Sequence, residues 1–386
     1  YKEIIVSEGL VNKAQYHFER LNDIINHGKT PVPLSIELQI TNTCHQACYY
    51  CNSEIFRKHN PDKATTEDWI NFIDNLPDGI NDVTFSGGGE PLDHKDADKI
   101  INHVLRKGYK VGLITNGARF RHLNFTEEYK PSWVGIDVDT ADSEKYFIIR
   151  KGNLEKVKKS ISEKMNQFQS YGTFFTYKVL INDYNKEISD LKANVDLAVE
   201  MGFDEYFQRI VYFSDRTATM ERAGKRTLEP PDGYTWEEVE VEVRNYCEEK
   251  GISYKGTFGK QRHSKLINEP SSNIENYSWS DIDWTHHVKQ CFAPLFYVVV
   301  NSNGNVLWCC EHLGNQDYVI DDWIENGLDF LQRDDLLDKM KNFLSWKKCS
   351  SQCRYYDYNK YAARISDGHY KYSENELKTG HEKGFF

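Results

Sequence analysis

Concentrated positive charge is missing from this chain. Its 48 lysines and arginines are scattered among 59 aspartates and glutamates, the net charge is -11, and no run of basic residues forms a stripe that could track phosphates. No nucleic-acid partner is therefore expected. Long apolar runs are missing too: none reaches the roughly 18 residues that a membrane-crossing helix needs. The opening YKEIIVSEGL lacks the basic and then apolar layout of a secretion signal, so a soluble, cytoplasmic protein is expected, with no membrane partner. Internal repeats and low-complexity segments are likewise absent. The nine cysteines are an odd number in a chain of 386 residues, which argues against a disulfide framework and for metal binding or catalysis.

What is present is alternation. Residues 1–32 carry helix-like apolar spacing and close on a Gly-Lys-Thr-Pro break, which predicts an N-terminal helical extension, too short for a folded leader-peptide binder. From residue 33 the apolar runs LSIELQI, DVTFSG, KVGLIT, WVGIDVD, TFFTYKVLI and EYFQRIVYF alternate with amphipathic segments. Parallel neighbours need a crossover connection, so six such units predict an α/β partial (β/α)6 barrel over 33–255. Residues 256–286 are polar and irregular and read as a linker or lid. In 287–386, FYVVVNSNGNVLWCC has the form of a hairpin. The segment that follows, DYVIDDWIENGLDFLQRDDLLDKMKNFLSWKKC, reads as helical, and together they predict a small C-terminal α+β domain.

The cysteines fall into two groups, with Cys247 alone between them. In TNTCHQACYYCNSE, Cys44, Cys48 and Cys51 are separated by three and then two intervening residues, with no fourth cysteine near. Three thiolates can hold three irons of a 4Fe-4S cube and leave the fourth iron open, whereas a closed zinc site would need one more ligand, from His45 or a distant cysteine.

Cys-x3-Cys-x2-Cys at the end of a first strand resembles the radical S-adenosylmethionine enzymes. That resemblance implies two cofactors, a 4Fe-4S cluster and S-adenosylmethionine, whose amino and carboxylate groups chelate the open iron and whose cleavage releases a 5'-deoxyadenosyl radical. It extends to FSGGGEP, where Gly88, Gly89 and Glu90 match the Gly-Gly-Glu segment. There the glycines would let a ligand approach the backbone and the carboxylate would meet the cofactor's ammonium. LITNGA resembles the Thr-Asn-Gly stop and adds Asn116. In VGIDVDTADSEKYFIIRKG, which resembles a segment often written Ser-Leu-Asp followed by arginine and glycine, Asp137 takes the place near the ribose and Arg150 that of the carboxylate's partner. Tyr50 stands where the family places an aromatic beside the adenine, and Gln208 and Arg209 are candidates at the barrel mouth.

Cys291, Gly304, Cys309, Cys349 and Cys353 resemble the SPASM or shorter twitch region. This implies one auxiliary 4Fe-4S cluster on the four cysteines, with Cys310 as a substitute for Cys309 because adjacent strand residues face opposite ways. CSSQC is Cys-x3-Cys where the family more often has Cys-x2-Cys, and a zinc ribbon is the competing assignment. Cys247 is a packed thiol or, as in some relatives, a hydrogen donor. His263, His286 and His287 read as exposed loop residues.

The enzyme expected from these motifs abstracts a hydrogen atom from a small polyol or amino-sugar-like substrate, for oxidation or epimerisation, with the auxiliary cluster accepting or relaying an electron. A peptide-modifying maturase is the alternative, and a non-catalytic iron-sulfur or zinc protein the competing class. A flavodoxin- or ferredoxin-type partner would supply electrons.

Overall fold

The computed structural model describes residues 17–211, 228–256, 291–333, 335–342 and 356–366. Six strands follow the predicted order: β1 (Ser35–Gln39), β2 (Asp82–Phe85), β3 (Lys110–Thr115), β4 (Trp133–Asp137), β5 (Phe174–Ile181) and β6 (Glu205–Ile210). Each pairs in parallel with the next, so every connection crosses over and lays a helix or loop on the sheet. The architecture is the α/β partial barrel.

A seventh strand, β7 (Ser253–Gly256), extends it in parallel beside β6. It lies at the border of the expected linker and has no β-branched residue, which hid it. It follows at once on the helix Trp236–Lys250, opened by a Thr235 and Glu238 capping box and closed by Gly251 at φ 72°.

On the other side of β1 the sheet continues through β8 (Tyr297–Asn301), parallel to β1 over five residues, then the antiparallel β9 (Asn305–Leu307) and β10 (Val319–Asp322). The hairpin is as predicted. β10 corrects the helical reading of its segment: VIDD is too short an apolar run for periodicity to separate strand from helix. Strands expected in the C-terminal unit thus share a sheet with the barrel.

The N-terminal helix Phe18–His27 buries Leu21, Ile24 and Ile25 in a second core, together with Phe292, Leu295 and the helix Tyr356–Ser366. Among the described residues, no helix is long and apolar enough to cross a membrane.

Register fixes which side chains face which way, because partners on adjacent strands share a side. Tyr177 pairs with Tyr206, and Tyr206 with Tyr254. The Tyr177 hydroxyl donates to Asn194 of the helix Ile188–Met201 at 2.9 Å, so this is the helix-covered side. One residue out of step, Trp133, Asp137, Lys178, Phe207, Arg209 and Lys255 point to the opposite, concave side.

Candidate active site

The loop that leaves β1 is fixed before its first cysteine. Asp62 accepts from the Thr41 hydroxyl (2.6 Å), the Asn42 N–H (2.5 Å) and the Ser302 hydroxyl (2.6 Å). Past the first cysteine, the N–H groups of Ala47 and Tyr49 reach the carbonyls of Arg150 and Ile149, and Cys51 closes a turn on Cys48. Cys44, Cys48 and Cys51 therefore hang from one pinned loop at the C-terminal end of β1.

All three thiols are free and half-buried. Burial raises the Cys48 thiol to about 12; Arg150 offsets part of this, while Cys51 and Cys44, close enough to be felt, add to it. Burial, followed by Glu90, raises Cys44 to about 11. Thiols this high become ligands only when a metal's charge holds them deprotonated. Three such thiolates can each take one iron of a 4Fe-4S cube. The His45 ring is held by Asp93 at 2.7 Å, and Asp93 is held in turn by Arg119 at 2.6 Å.

Gly88 and Gly89 bring a second loop onto the first. The N–H groups of Gly89 and Glu90 donate to the carbonyls of Thr41 (3.0 Å) and Thr43 (2.9 Å). A Cβ on Gly89 would stand 2.2 Å from the Thr43 oxygen, and one on Gly88 2.5 Å from the Asn42 amide oxygen. The close approach that these glycines permit here is between protein loops. Glu90 is buried and accepts from the Thr115 hydroxyl and from the N–H groups of Asn116 (2.8 Å) and Leu92 (3.2 Å). Burial still raises its carboxyl to about 7 against those donors. Asn116 thus meets Glu90 through its backbone, while its side chain accepts from the Ala118 N–H.

Asp139 was not anticipated, and it organises the next layer. Fully buried at a φ of 71°, it accepts from Arg150 Nε (2.7 Å), from the Tyr50 hydroxyl and from the Leu180 N–H (2.8 Å). Arg150 also reaches Gln46 at 3.4 Å, so it is a buried, paired cation and not a surface one. Tyr50 is likewise a buried member of this hub. The signal lay in the sequence: Asp139 is the aspartate of the segment compared with Ser-Leu-Asp. Asp137, two residues earlier, faces the concave side and meets Lys178 at 3.4 Å.

Two candidates lie on the other side of the sheet. Gln208, expected at the mouth, is fully buried on the helix-covered side against the hydroxyls of Tyr254 (2.9 Å) and Tyr206 (3.4 Å), because the pleat sends it opposite to Arg209. Cys247, in the helix Trp236–Lys250, sits in the same packed layer, where burial raises its thiol to about 12. Cys247 thus lies on the side of the sheet opposite to Lys178, Phe207 and Arg209.

In the second cysteine group, Cys291 and Cys309 are buried in the second core and Cys310 is half-buried beside it. Cys291 Sγ accepts from Trp308 Nε1 at 3.2 Å and Asn359 Nδ2 at 3.7 Å. Cys310 lies near Tyr297, whose hydroxyl donates to Glu37. Cys349, Cys353, His263, His286 and His287 lie outside the described residues.

Residues 38–166, from β1 through the cysteine loop, the Gly-Gly-Glu loop and Arg150, match the model of the Radical SAM superfamily. That match spans a third of the chain. Over 84 residues the chain is 39% identical to the S-adenosylmethionine-dependent nucleotide dehydratase of Selenomonas ruminantium, which is 22% of this chain and 30% of that protein. It is 33% identical over 88 residues to the PqqA peptide cyclase of Bradyrhizobium diazoefficiens, which is 22% of this chain and 23% of that one. These matches thus span less than a third of either relative. The fold is similar over a longer stretch to SuiB of Streptococcus suis, solved with its precursor peptide SuiA. There the TM-score is 0.59 at 17% identity, covering 89% of this chain and 75% of SuiB.

Proposed function

We propose that the chain is a radical SAM enzyme that takes a hydrogen atom from a carbon of a polar substrate held on the concave side of the barrel. The observation that carries this reading is the seating of the Gly88 to Glu90 loop on the loop that bears Cys44, Cys48 and Cys51, through the Gly89 and Glu90 N–H groups. Those three thiols would hold three irons of a 4Fe-4S cluster. With S-adenosylmethionine bound, the cluster supplies a 5'-deoxyadenosyl radical when a flavodoxin- or ferredoxin-type partner delivers an electron.

The chain's own residues then bind and orient. Glu90 presents a buried carboxyl beside Cys44, suited to the cofactor's ammonium. Asp137 stays in the role of a ribose contact, shared with Lys178. Because Arg150 is committed to Asp139, its role in this reading is to lock the Cys48 to Tyr50 turn, not to reach the cofactor's carboxylate. Cys291, Cys309, Cys349 and Cys353 would hold the auxiliary cluster as electron acceptor or relay. The Trp308 and Asn359 N–H groups on Cys291 suit a cluster thiolate, since such bonds tune its potential.

For the substrate, the charged concave side fits a small polyol or amino-sugar-like molecule, oxidised or epimerised. A peptide is the second reading, favoured by the likeness to SuiB with its precursor peptide and by the stretch shared with a PqqA peptide cyclase.

The test begins with iron, sulfide and 5'-deoxyadenosine release in anaerobically reconstituted protein given dithionite and S-adenosylmethionine, beside the Cys44, Cys48 and Cys51 triple alanine variant. About eight irons, falling to about four in the variant with loss of cofactor cleavage, support two cubes and the enzyme. No cleavage by the fully loaded wild type sinks the reading. Mass spectrometry of polyol, amino-sugar and peptide mixtures then separates the substrate classes.

A further inference from the structure

The concave side of β4 to β7 places two lysines on one face, one of which makes no ion pair among the described residues. Lys178, on β5, is held on three sides. Its stem lies over Gly135, where a Cβ would come within 2.7 Å of its Cδ. Its ammonium stands 5.8 Å from the Trp133 ring and 5.7 Å from the Phe207 ring, and 3.4 Å from Asp137. Lys255, on β7, is the register partner of Phe207 and faces the same side. It is half-buried and, among the described residues, its side chain makes no hydrogen bond or ion pair; the nearby charges are Glu205 and the ammonium of Lys178. Glu205 is itself engaged by the Thr176 hydroxyl at 3.0 Å, which also receives the Trp133 N–H at 2.8 Å.

Lys255 is half-buried on the face that carries Lys178, and its nearest carboxylate, Glu205, already accepts from Thr176, so the pair of lysines can take a further anion. The Trp133 and Phe207 rings flank the Lys178 ammonium, and apolar walls strengthen an ionic contact made beside them. Lysine is a mobile point charge, suited to carboxylate or phosphate without the planar fork that arginine imposes. We infer that Lys178 and Lys255, backed by Trp133 and Phe207, form a docking site for a carboxylate or phosphate group of the substrate. The inference rests on the reading that the substrate occupies the concave side, and narrows it: a neutral polyol leaves Lys255 unanswered, whereas a phosphorylated or carboxylated molecule does not.

Calorimetric titration of the anaerobically reconstituted full chain with inorganic pyrophosphate, and separately with glutarate, tests it. Saturable binding of one anion is expected, weakened about tenfold or more in Lys178→Gln and Lys255→Gln. Binding is expected to persist in Lys255→Arg and in Lys192→Gln, whose side chain pairs with Glu242 among the helices. Preference for pyrophosphate assigns a phosphorylated substrate, and preference for glutarate a carboxylated one. Binding of neither anion to the wild type, or equal binding to Lys255→Gln, overturns the inference. The same preparations are assayed for 5'-deoxyadenosine. A wild type that releases it and binds no anion leaves the radical reading standing without this site, whereas one that releases none removes both.

Discussion

Arg150 gives the sharpest test, because its position in the sequence and its contacts in the fold point to different work. Its side chain is 5% exposed, that of Asp139 is 0% exposed, and Nε lies 2.7 Å from the carboxylate. Replacing Arg150 by Met keeps most of the volume and removes the charge. Asp139 would then retain only the Tyr50 hydroxyl and the Leu180 N–H. Removing one partner of a buried pair costs about 3–5 kcal/mol, a large part of the roughly 5–15 kcal/mol that holds a domain folded. At about 2–4 °C per kcal/mol for chains of this order, the melting temperature should fall by about 10 °C. Calorimetric melts at one scan rate under anaerobic conditions read this, with the Arg150→Met, Asp139→Asn double variant recovering part of the loss because no buried charge is stranded. A single variant melting within about 2 °C of the wild type, with a raised KM for S-adenosylmethionine, would refute the reasoning and return Arg150 to the cofactor's carboxylate.

Other outcomes follow from the same geometry. Gly89→Ala should force the Gly-Gly-Glu loop off Thr41 and Thr43, costing about 1–3 kcal/mol and lowering iron retention; full iron content in that variant would separate the glycine from the cluster loop. Glu90 carries its carboxyl at about 7 against an ordinary 4.5. The folded chain therefore keeps the proton longer than the unfolded one, and this group's contribution to stability falls as pH rises from 4.5 towards 7. Glu90→Gln should flatten that slope in urea titrations, and an unchanged slope would assign it to other groups. Cys247→Ser, placing a hydroxyl in a packed apolar layer, should cost about 1–3 kcal/mol and leave hydrogen transfer intact; turnover lost at an unchanged melting temperature would contradict its placement.

The parts of this protein that were legible in the sequence are those written locally. KVGLIT is β3 from Lys110 to Thr115, residue for residue, because a short apolar run bounded by turns carries its own signal. The three-cysteine spacing and the Gly-Gly-Glu segment are local for the same reason. The pleat was where expectation failed: assigning Gln208 and Arg209 to one mouth ignored that neighbours on a strand face opposite ways. Asp139 was overlooked because its partners Tyr50, Arg150 and Leu180 come from three other elements. No periodicity in one segment encodes such a meeting.

The seam between β1 and β8 shows what distance in sequence conceals. Asn301 and Asn42, 259 residues apart, exchange two amide hydrogen bonds of 3.0 Å, and Asn301 also donates to Gln39 at 2.8 Å. Gln39 donates in turn to Glu37 at 2.7 Å, which the Tyr297 hydroxyl meets at 2.8 Å. A buried polar network satisfied at each step is rigid, because any member that moves strands its neighbours. Gly88 lies directly against this network, since a Cβ there would meet Asn42, Asn301 and Gln39. Ser302 adds a second tie, its carbonyl taking the N–H groups of Lys63 and Ala64 and its hydroxyl reaching Asp62. The hairpin turn that follows β8 closes through Gly304 at φ 101°, a conformation glycine adopts without strain. The position of the cysteine loop is therefore set in part by a hairpin far downstream, and that hairpin acts on the site through geometry whether or not it also carries electrons.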